Sequence, residues 1–272
     1  MTGALYCLVA LGLTIIWGTL EIYNFAHGSW VAIGAYLTWS FLFNAGMPFL
    51  LSAILALIFS FILGVIIYKL VIQRVGANLM IVVICTMMIA TFIENFILLT
   101  YPSGALIKRL PPILDVNYRV GFVILPGTEL VYTITAAVVL VGLWLFLKRT
   151  RLGLSIRAVN QDKDAARLMG ISVTRVSMII VGLASCLAAL VGIFIGSKEV
   201  MIPTMGAWPM WKASIICLLG GLGSIRGTAL AAFVISEIEV MSSLFLGQSW
   251  SSMFLFVFLM SWLIVRPSIM RR

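Results

Sequence analysis

The chain has 272 residues, of which 62% are hydrophobic and 10% are charged, with a formal net charge of +9 and a mean hydropathy of +1.17. Soluble domains are about 45–50% apolar and about 25% charged, so this composition excludes a soluble globular fold. The apolar runs are continuous, whereas the strands of a membrane barrel would alternate with period two. We therefore predict an all-α, polytopic transmembrane helical bundle, with residues 1–272 forming one membrane domain.

The apolar runs predict eight or nine helical crossings, because about 17–25 apolar residues span a bilayer as a helix. In chain order, the runs cover residues 4–20, 30–43, 50–68, 79–100, 130–147, 176–196, 208–222, 228–245 and 253–265. The runs 30–43 and 208–222 are short, which indicates broken or partial helices. The glycine-rich stretch 220–227 lacks the Gly-Lys-Ser/Thr of a phosphate-binding loop, so it favours close helix approach or a break between two half-helices.

Two segments between the apolar runs differ sharply in composition. Residues 101–129 contain four prolines, whereas residues 148–175 carry seven basic residues against two aspartates. Cytoplasmic loops are enriched in Lys and Arg, so 148–175 is predicted to be cytoplasmic and 101–129 external. Alternating crossings then place thirteen basic residues inside and five outside. Topology thus explains the positive charge, and a nucleic-acid partner is not needed.

Three polar residues recur at every third position near the end of the first run: Glu21, Asn24 and His27. If this segment is helical, they share one face. Two roles stay open for Asn24 and His27: they line a polar path through the membrane, or they form an interhelical hydrogen-bond cluster that fixes packing. A catalytic His27 is not expected, because no nucleophile or second base accompanies it.

Carboxylates inside membrane spans are costly and tend to face a cavity or a partner. Glu94 lies in the outer half of its span, and Glu237 and Glu239 lie two residues apart in the penultimate one. Residues two apart point to different faces of a helix, and we expect Glu94 and Glu237 to face the cavity. Either of the neighbouring glutamates is expected to pair with a cation such as Lys212 or Arg226.

Small residues and cysteines complete the pattern inside the spans. Small residues at i, i+4 spacing in the run 176–196 predict close helix packing; they are Ala184, Ala188, Gly192 and Gly196. The four cysteines lie inside apolar stretches without metal-ligand spacing, so no metal site is expected. No catalytic site, cofactor or enzyme activity is expected for the chain itself.

The basic segment 148–175 has the pattern of a short surface helix. Asn160 is a candidate N-cap, Asp162 and Asp164 suit the first turn, and Gly170 suits a left-handed residue that ends the helix. Small and apolar side chains follow Asp164. Such a helix suits docking into a groove of a partner, although a basic loop that touches only lipid headgroups remains an alternative.

The stretch Asp164-Ala165-Ala166, followed after three residues by Gly170, is similar to the Glu-Ala-Ala-x-x-x-Gly coupling motif of ABC importer permeases, with Asp for Glu. More broadly, three segments in register resemble the permease subunits of branched-chain amino-acid ABC importers. They are Asn-Phe-Ala-His-Gly at 24–28, the segment 149–171 and the glycine-rich segment 219–227. Together they extend the resemblance along almost the whole chain.

The resemblance implies a permease subunit that forms the translocation path for branched-chain or other hydrophobic amino acids in the bacterial inner membrane. It implies a second permease, a paralogue, together with two cytoplasmic ATPases that bind the ATP and a periplasmic or extracellular substrate-binding protein. The implied coupling residues are Arg157, Ala158, Asp164, Ala165, Ala166 and Gly170, and the candidate path residues are Asn24, His27, Glu94 and Glu237. Two alternatives remain open: a permease for urea or short amides, and a self-contained secondary carrier, which the intramembrane glutamates would also suit.

Overall fold

The computed structural model describes residues 2–75, 78–101, 108–114, 116–120 and 123–265. Within these ranges the regular secondary structure is helical except for one antiparallel hairpin, β1 (Asn117–Val120) and β2 (Val123–Pro126). The helices are α1 (Thr2–Leu20), α2 (Ala26–Trp39), α3 (Phe49–Ile67), α4 (Gln73–Val75), α5 (Leu79–Thr100), α6 (Gly127–Arg149), α7 (Arg151–Gln161), α8 (Lys163–Leu168), α9 (Val173–Lys198), α10 (Ala207–Gly220), α11 (Ile225–Leu246) and α12 (Gln248–Val265). This confirms the predicted all-α class.

Six helices of the described ranges are long and apolar enough to cross a membrane, so the chain is a multi-pass membrane protein. They are Gly3–Leu20, Phe49–Val75, Leu79–Thr100, Gly127–Arg149, Val173–Lys198 and Ile225–Phe245. The second of them runs through α3, a π-helical turn and α4 without a break. Three further helices, α2, α10 and α12, correspond to the other predicted crossings, and the total of eight or nine stays a prediction.

Helices α1 and α9 form the centre of the bundle. In each, 67% of an 18-residue crossing stretch is buried within the protein, against 22% in the helices that begin at Phe49, Leu79 and Gly127. The outer helices expose large apolar side chains such as Met88 and Val138. Because a bilayer is itself apolar, this exposed surface can face lipid without cost.

Helix α9 packs against α1, α2 and α3 through small residues. A Cβ atom added at Gly192 would overlap the carbonyl of Val31 on α2, and one added at Gly34 would overlap the backbone of Ala189. Ala184 and Ala188 are completely buried. The predicted close packing along this row of small residues is therefore confirmed.

Two short helices begin in the middle of the bundle instead of at its surface. Helix α1 ends at Leu20, Glu21 has a φ of 59°, and α2 starts again at Ala26. His27 then lies beside the centre of α1, with its ring against Gly12. The predicted single helical face for Glu21, Asn24 and His27 is therefore wrong, because the chain reverses between them.

The segment 199–206 makes a second break of the same kind between α9 and α10. A Cβ atom added at Gly206 would overlap the carbonyl of Gly28, so the starts of α2 and α10 touch. Helix α10 has 14 residues and is separated from α11 by residues 221–224, with Gly221 and Gly223 at positive φ. The predicted break in the glycine-rich stretch is confirmed, as is the close approach of Gly220 to Gly227 across it.

The two ends of the bundle differ in character. One end, here called the basic end, is formed by α7, α8, the last turn of α1 and residues 221–224; Gly18, Asn160 and Gly223 meet there. The opposite end, here called the hairpin end, carries β1, β2 and the last turn of α9. Its loop is tied to α9, because the backbone N–H of Leu110 donates to the carbonyl of Gly196 at 2.9 Å.

Candidate coupling surface and hairpin-end cavity

The basic segment folds into two surface helices with separate caps. Thr150 accepts a hydrogen bond from the backbone N–H of Gly153 at 2.9 Å and so caps α7. Asp162 is extended and accepts from the N–H groups of Asp164 and Ala165 at 2.8 and 2.9 Å, which caps α8. The prediction that Asn160 caps this helix is wrong: Asn160 lies inside α7, and a carboxylate two residues later satisfies the exposed N–H groups instead.

The end of α8 has the geometry predicted for Gly170. This glycine has a φ of 80°, and its N–H donates to the carbonyl of Arg167 at 2.9 Å. The next N–H, of Ile171, donates to the carbonyl of Ala166 at 3.0 Å. This pair of bonds is a Schellman motif, which ends the helix and turns the chain sharply into α9.

The Schellman turn leaves two large apolar side chains in the open. Leu168 is 88% exposed and Met169 is 83% exposed, whereas Ala166 is only 4% exposed. Asp164 and Ala165 are exposed on the same helix. Ala166, predicted as a coupling residue, therefore packs α8 onto the bundle. The exposed apolar side chains Leu168 and Met169 are here called the α8 tip.

An ion pair links α8 to the break after α1. The Lys163 ammonium donates to Glu21 Oε1 at 3.1 Å and to the carbonyl of Leu20 at 3.4 Å. Both side chains keep solvent contact, so the pair contributes little stability, on the order of 0–1 kcal/mol. Its position matters more, because it joins the surface helix to the first residue of the chain reversal.

The other two predicted coupling residues lie on α7. Arg157 is exposed and lines a cavity of 330 Å³ at the basic end, together with Lys148 and Arg226. Ala158 is half-buried against the bundle. Among the residues that the structure describes, none of these three cations has a carboxylate partner, so this end presents unpaired positive charge.

Asn24 and His27 hold the chain reversal together from inside. Asn24 Oδ1 accepts from the N–H of Ala26 at 3.1 Å, which starts α2. His27 is completely buried and its Nε2 lies 3.0 Å from the carbonyl of Val9. Because a carbonyl only accepts, Nε2 carries the hydrogen and donates it. This geometry fits the packing alternative for His27, and a role of either residue in lining a path stays a prediction.

A cavity of 680 Å³ opens at the hairpin end, between the start of α1, the segment 199–206 and helices α10, α11 and α12. Lys212 and Glu239 line it and form an ion pair with 2.5 Å between Nζ and Oε1. Their side chains are only 13% and 19% exposed. Lys212 also donates to the Tyr6 hydroxyl at 2.6 Å, so α1, α10 and α11 meet at one buried charged site.

Of the pairings that the sequence left open, the structure shows Glu239 with Lys212; the placement of Glu237 at the translocation path stays a prediction. Glu237 is exposed on another face of α11 and does not line the hairpin-end cavity. Glu94 is half-buried on α5 and lines neither of the two cavities described above. Neighbouring glutamates on one helix carry the same sequence signal, and only the packing of α10 decides which one meets the lysine.

Comparison with known proteins gives consistent matches along the chain. A family model described as branched-chain amino acid transport system / permease component matches residues 1–263. The high-affinity branched-chain amino acid transport system permease protein BraD of Pseudomonas aeruginosa is 28% identical, covering 98% of this chain and 91% of the relative. For the permease protein LivH of Escherichia coli the identity is 26% with the same coverage.

Some matching proteins are named for a different substrate. The fructose import permease protein FruG of Bifidobacterium longum is 28% identical, covering 96% of this chain and 78% of the relative. No solved structure matches the chain significantly. All three of these relatives are named as permease proteins, and the cargo in their names differs.

Proposed function

We propose that this chain, which belongs to the family of branched-chain amino acid transport permease components, forms part of a translocation path. The cargo is a branched-chain or other hydrophobic amino acid. The chain acts with a second permease, a paralogue, in the bacterial inner membrane. Two ATPases bound at its cytoplasmic side bind and hydrolyse the ATP, and a substrate-binding protein delivers cargo to the other side. The chain is the transport subunit and carries no hydrolytic step itself.

The observation that carries this proposal is the α8 tip. Leu168 and Met169 are more than 80% exposed at the end of a helix that is capped at both ends. Burying two such side chains in a groove stabilises a complex by about 1.5–3 kcal/mol each. A short helix with apolar anchors is a common form for docking into a partner's groove.

The contacts of α8 give a route by which movement of an ATPase reaches the membrane interior. Ala166 packs the helix onto the bundle, and Lys163 connects it to Glu21, where the reversal between α1 and α2 begins. The reversal leads to Asn24 and His27 at the centre. We assign these two residues to holding the reversal, so they act on the path by positioning α2.

Two carboxylates remain as candidates for the path between the paired permeases. Glu237 is exposed on α11 and Glu94 is half-buried on α5, at positions where lipid would be a poor environment for an ionised group. A water-filled path beside a second permease would solvate them. This supports the predicted placement of both residues at the path without requiring that either contacts cargo.

The alternatives make different demands on the chain. A self-contained carrier has no use for a capped apolar tip at the basic end. A permease for urea or short amides would share the tip, and it is distinguished by its cargo. Screening the cognate binding protein tests this: leucine-like amino acids are expected to bind tightly, and tight binding of urea or short amides without them would contradict the proposed cargo.

The docking of ATPases is tested by purification of the tagged chain from its own membranes. The double variant Leu168→Asp, Met169→Asp is expected to reduce ATPase copurification at least about tenfold, because each lost apolar contact costs more than the 1.4 kcal/mol that corresponds to a factor of ten. Tyr118→Asp serves as the control, since Tyr118 is 46% exposed on β1 at the hairpin end. Equal ATPase recovery with both variants would contradict docking at the α8 tip.

A further inference from the structure

We propose that the hairpin-end cavity holds the cargo within this chain, with Lys212 binding the carboxylate and Glu239 the ammonium group of an amino acid whose side chain is apolar. This rests on the proposed function and adds to it a place and two contact residues. The inference begins from the buried ion pair of Lys212 with Glu239, because helices can pack without such a pair.

A buried ion pair is an expensive way to join helices. Removing two charges from water is costly, and apolar residues of similar volume are often as stabilising as the ion pair. Here the pair is also incompletely satisfied, because Glu239 Oε2 is buried and has no hydrogen-bond partner among the described residues. One additional hydrogen-bond donor would satisfy Glu239 Oε2, and an ammonium group has three N–H donors.

The surroundings of the pair match the rest of an apolar amino acid. Half of the residues that line the cavity beside Lys212 and Glu239 are apolar, among them Leu5, Ile202, Met205, Trp208 and Val240. Its volume of 680 Å³ falls in the range of about 300–1,000 Å³ that is usual for small-molecule sites. The cavity can therefore contact an amino acid at three points: the apolar wall contacts its side chain, Lys212 its carboxylate and Glu239 its ammonium group.

Charge balance favours a zwitterion over a singly charged cargo, because Lys212 and Glu239 together carry no net charge. When a zwitterion enters, one internal ion pair is exchanged for two pairs with the ligand, and no charge is left alone. A ligand that carries only one charge adds a net charge to the site, and an uncharged ligand leaves the internal pair and the unpartnered Glu239 Oε2 as they are. Sites with buried polar groups of this kind discriminate strongly against analogues that lack the matching group.

Other charged groups at the cavity are less suited to this role. Lys198 and Glu199 also line it, but both are exposed. Lys198 is paired with Glu129 at 3.2 Å, and their side chains are 49% and 26% exposed. This second pair at the same end of the molecule provides a matched control, because it has the same residue types and its lysine is much more exposed to solvent.

The test uses the complex of this chain with its permease and ATPase partners in lipid nanodiscs, without the binding protein. The melting temperature is measured with L-leucine, D-leucine, leucinol and 4-methylpentanoate, the last two lacking the carboxylate and the ammonium group respectively. L-leucine is expected to raise the melting temperature, because a ligand that binds only the folded state stabilises it. The two analogues are expected to have no effect at the same concentration.

Two double variants address the ion pair. Lys212→Met with Glu239→Gln removes both charges together, so no buried charge is left unpaired, and it is expected to abolish the shift caused by L-leucine. Lys212→Glu with Glu239→Lys keeps a pair but exchanges its charges. Since exchanging two substituents at a stereocentre gives the mirror-image arrangement, this variant is expected to respond to D-leucine more than to L-leucine. Glu129→Gln is expected to respond as the wild type does.

The outcomes separate this inference from the proposed function. A shift by L-leucine that survives removal of both charges, or no shift in the wild type, overturns the head-group site. A charge-exchanged variant that still prefers L-leucine also overturns it, because a purely structural pair would behave in this way. Failure of the wild-type system to take up leucine when the binding protein and ATP are present overturns the proposed function instead.

Discussion

Single small residues decide how closely the central helices approach each other. Gly192 and Gly34 bring the backbones of α9 and α2 into direct contact, and a Cβ atom at either position would overlap the facing backbone. Small residues have the same use in other membrane bundles, where close packing replaces the hydrophobic effect as the force between helices. The row that includes Gly192 is therefore a structural feature of the core.

Replacing Gly192 by Ala is expected to lower the melting temperature of the purified chain. The backbone of α2 must move to admit the methyl group, and overpacking of this kind costs typically about 1–3 kcal/mol. Gly142→Ala is the control, because Gly142 has open space where the Cβ would go, and it should leave the melting temperature unchanged or slightly raised. Equal melting temperatures for the two variants would contradict the tight contact of α2 with α9.

Several residue assignments were within reach of the sequence, and others were not. The left-handed conformation of Gly170, which ends α8, could be predicted because glycine is the residue type that favours it. The cap at Asp162, the inward turn of Ala166 and the choice of Glu239 over Glu237 all depend on tertiary packing. Asn160 and Asp162 are both good capping residues, and the exact end of α7 decides between them. For the glutamates the decisive factor is the position of Lys212 on another helix.

Among the secondary-structure elements, α8 has only six residues and is held in place by its caps and by packing against the bundle. Asp162 caps its start, the Schellman turn at Gly170 closes its end, and Ala166 packs it onto the bundle. An isolated helix of six residues is not stable in water, so these contacts hold the α8 tip in place. Pre-ordering of this kind favours binding because less freedom is lost on docking.

Gly170→Ala is expected to weaken ATPase binding to the assembled chain several-fold. Its φ of 80° costs an L-residue roughly 1–2 kcal/mol, and the turn relaxes so that Leu168 and Met169 lose their fixed position. Gly46→Ala carries similar strain, with a φ of 65° and open space for the Cβ, but lies in the loop before α3. It should leave ATPase affinity, measured by titration in nanodiscs, as in the wild type.

The predicted crossings correspond well to the observed helices wherever the apolar run is long and uninterrupted. The starts of α2 and α10 in the middle of the bundle were indicated only as short runs, because a chain reversal inside a protein has no hydrophobic signature of its own. Both segments are held by neighbours distant in sequence: in segment 21–25 the N–H of Phe25 donates to Thr86 Oγ1 at 3.3 Å, and in segment 199–206 Gly206 contacts Gly28. Hydropathy predicts which segments lie in lipid or in the protein core, but it does not predict contacts between particular residues.

The molecule as a whole has one basic end and one end with the hairpin and the larger cavity. The distribution of Lys and Arg predicts that the basic end is cytoplasmic. A substrate-binding protein would then meet the hairpin end, where the 680 Å³ cavity opens, and the ATPases would meet the α8 tip. The two proposed binding regions thus lie at opposite ends of the central helix α9.

This orientation is tested by labelling with a membrane-impermeant maleimide in intact cells. Tyr118→Cys on β1 is expected to be labelled in intact cells, and Gln161→Cys at the end of α7 only after permeabilisation. The native cysteines are buried or half-buried in apolar helices and provide the background in the unsubstituted chain. Labelling of Gln161→Cys in intact cells, with protection of Tyr118→Cys, would contradict the predicted orientation.

The central claim is that this chain is a permease whose transport is driven by separate ATPases. The most direct measurement is uptake of radiolabelled leucine into proteoliposomes containing the chain alone, or the chain with its permease partner, ATPases and binding protein. We predict concentrative uptake only in the complete system and only with ATP. Concentrative uptake by this chain alone, without ATP, would contradict the claim and favour a self-contained carrier.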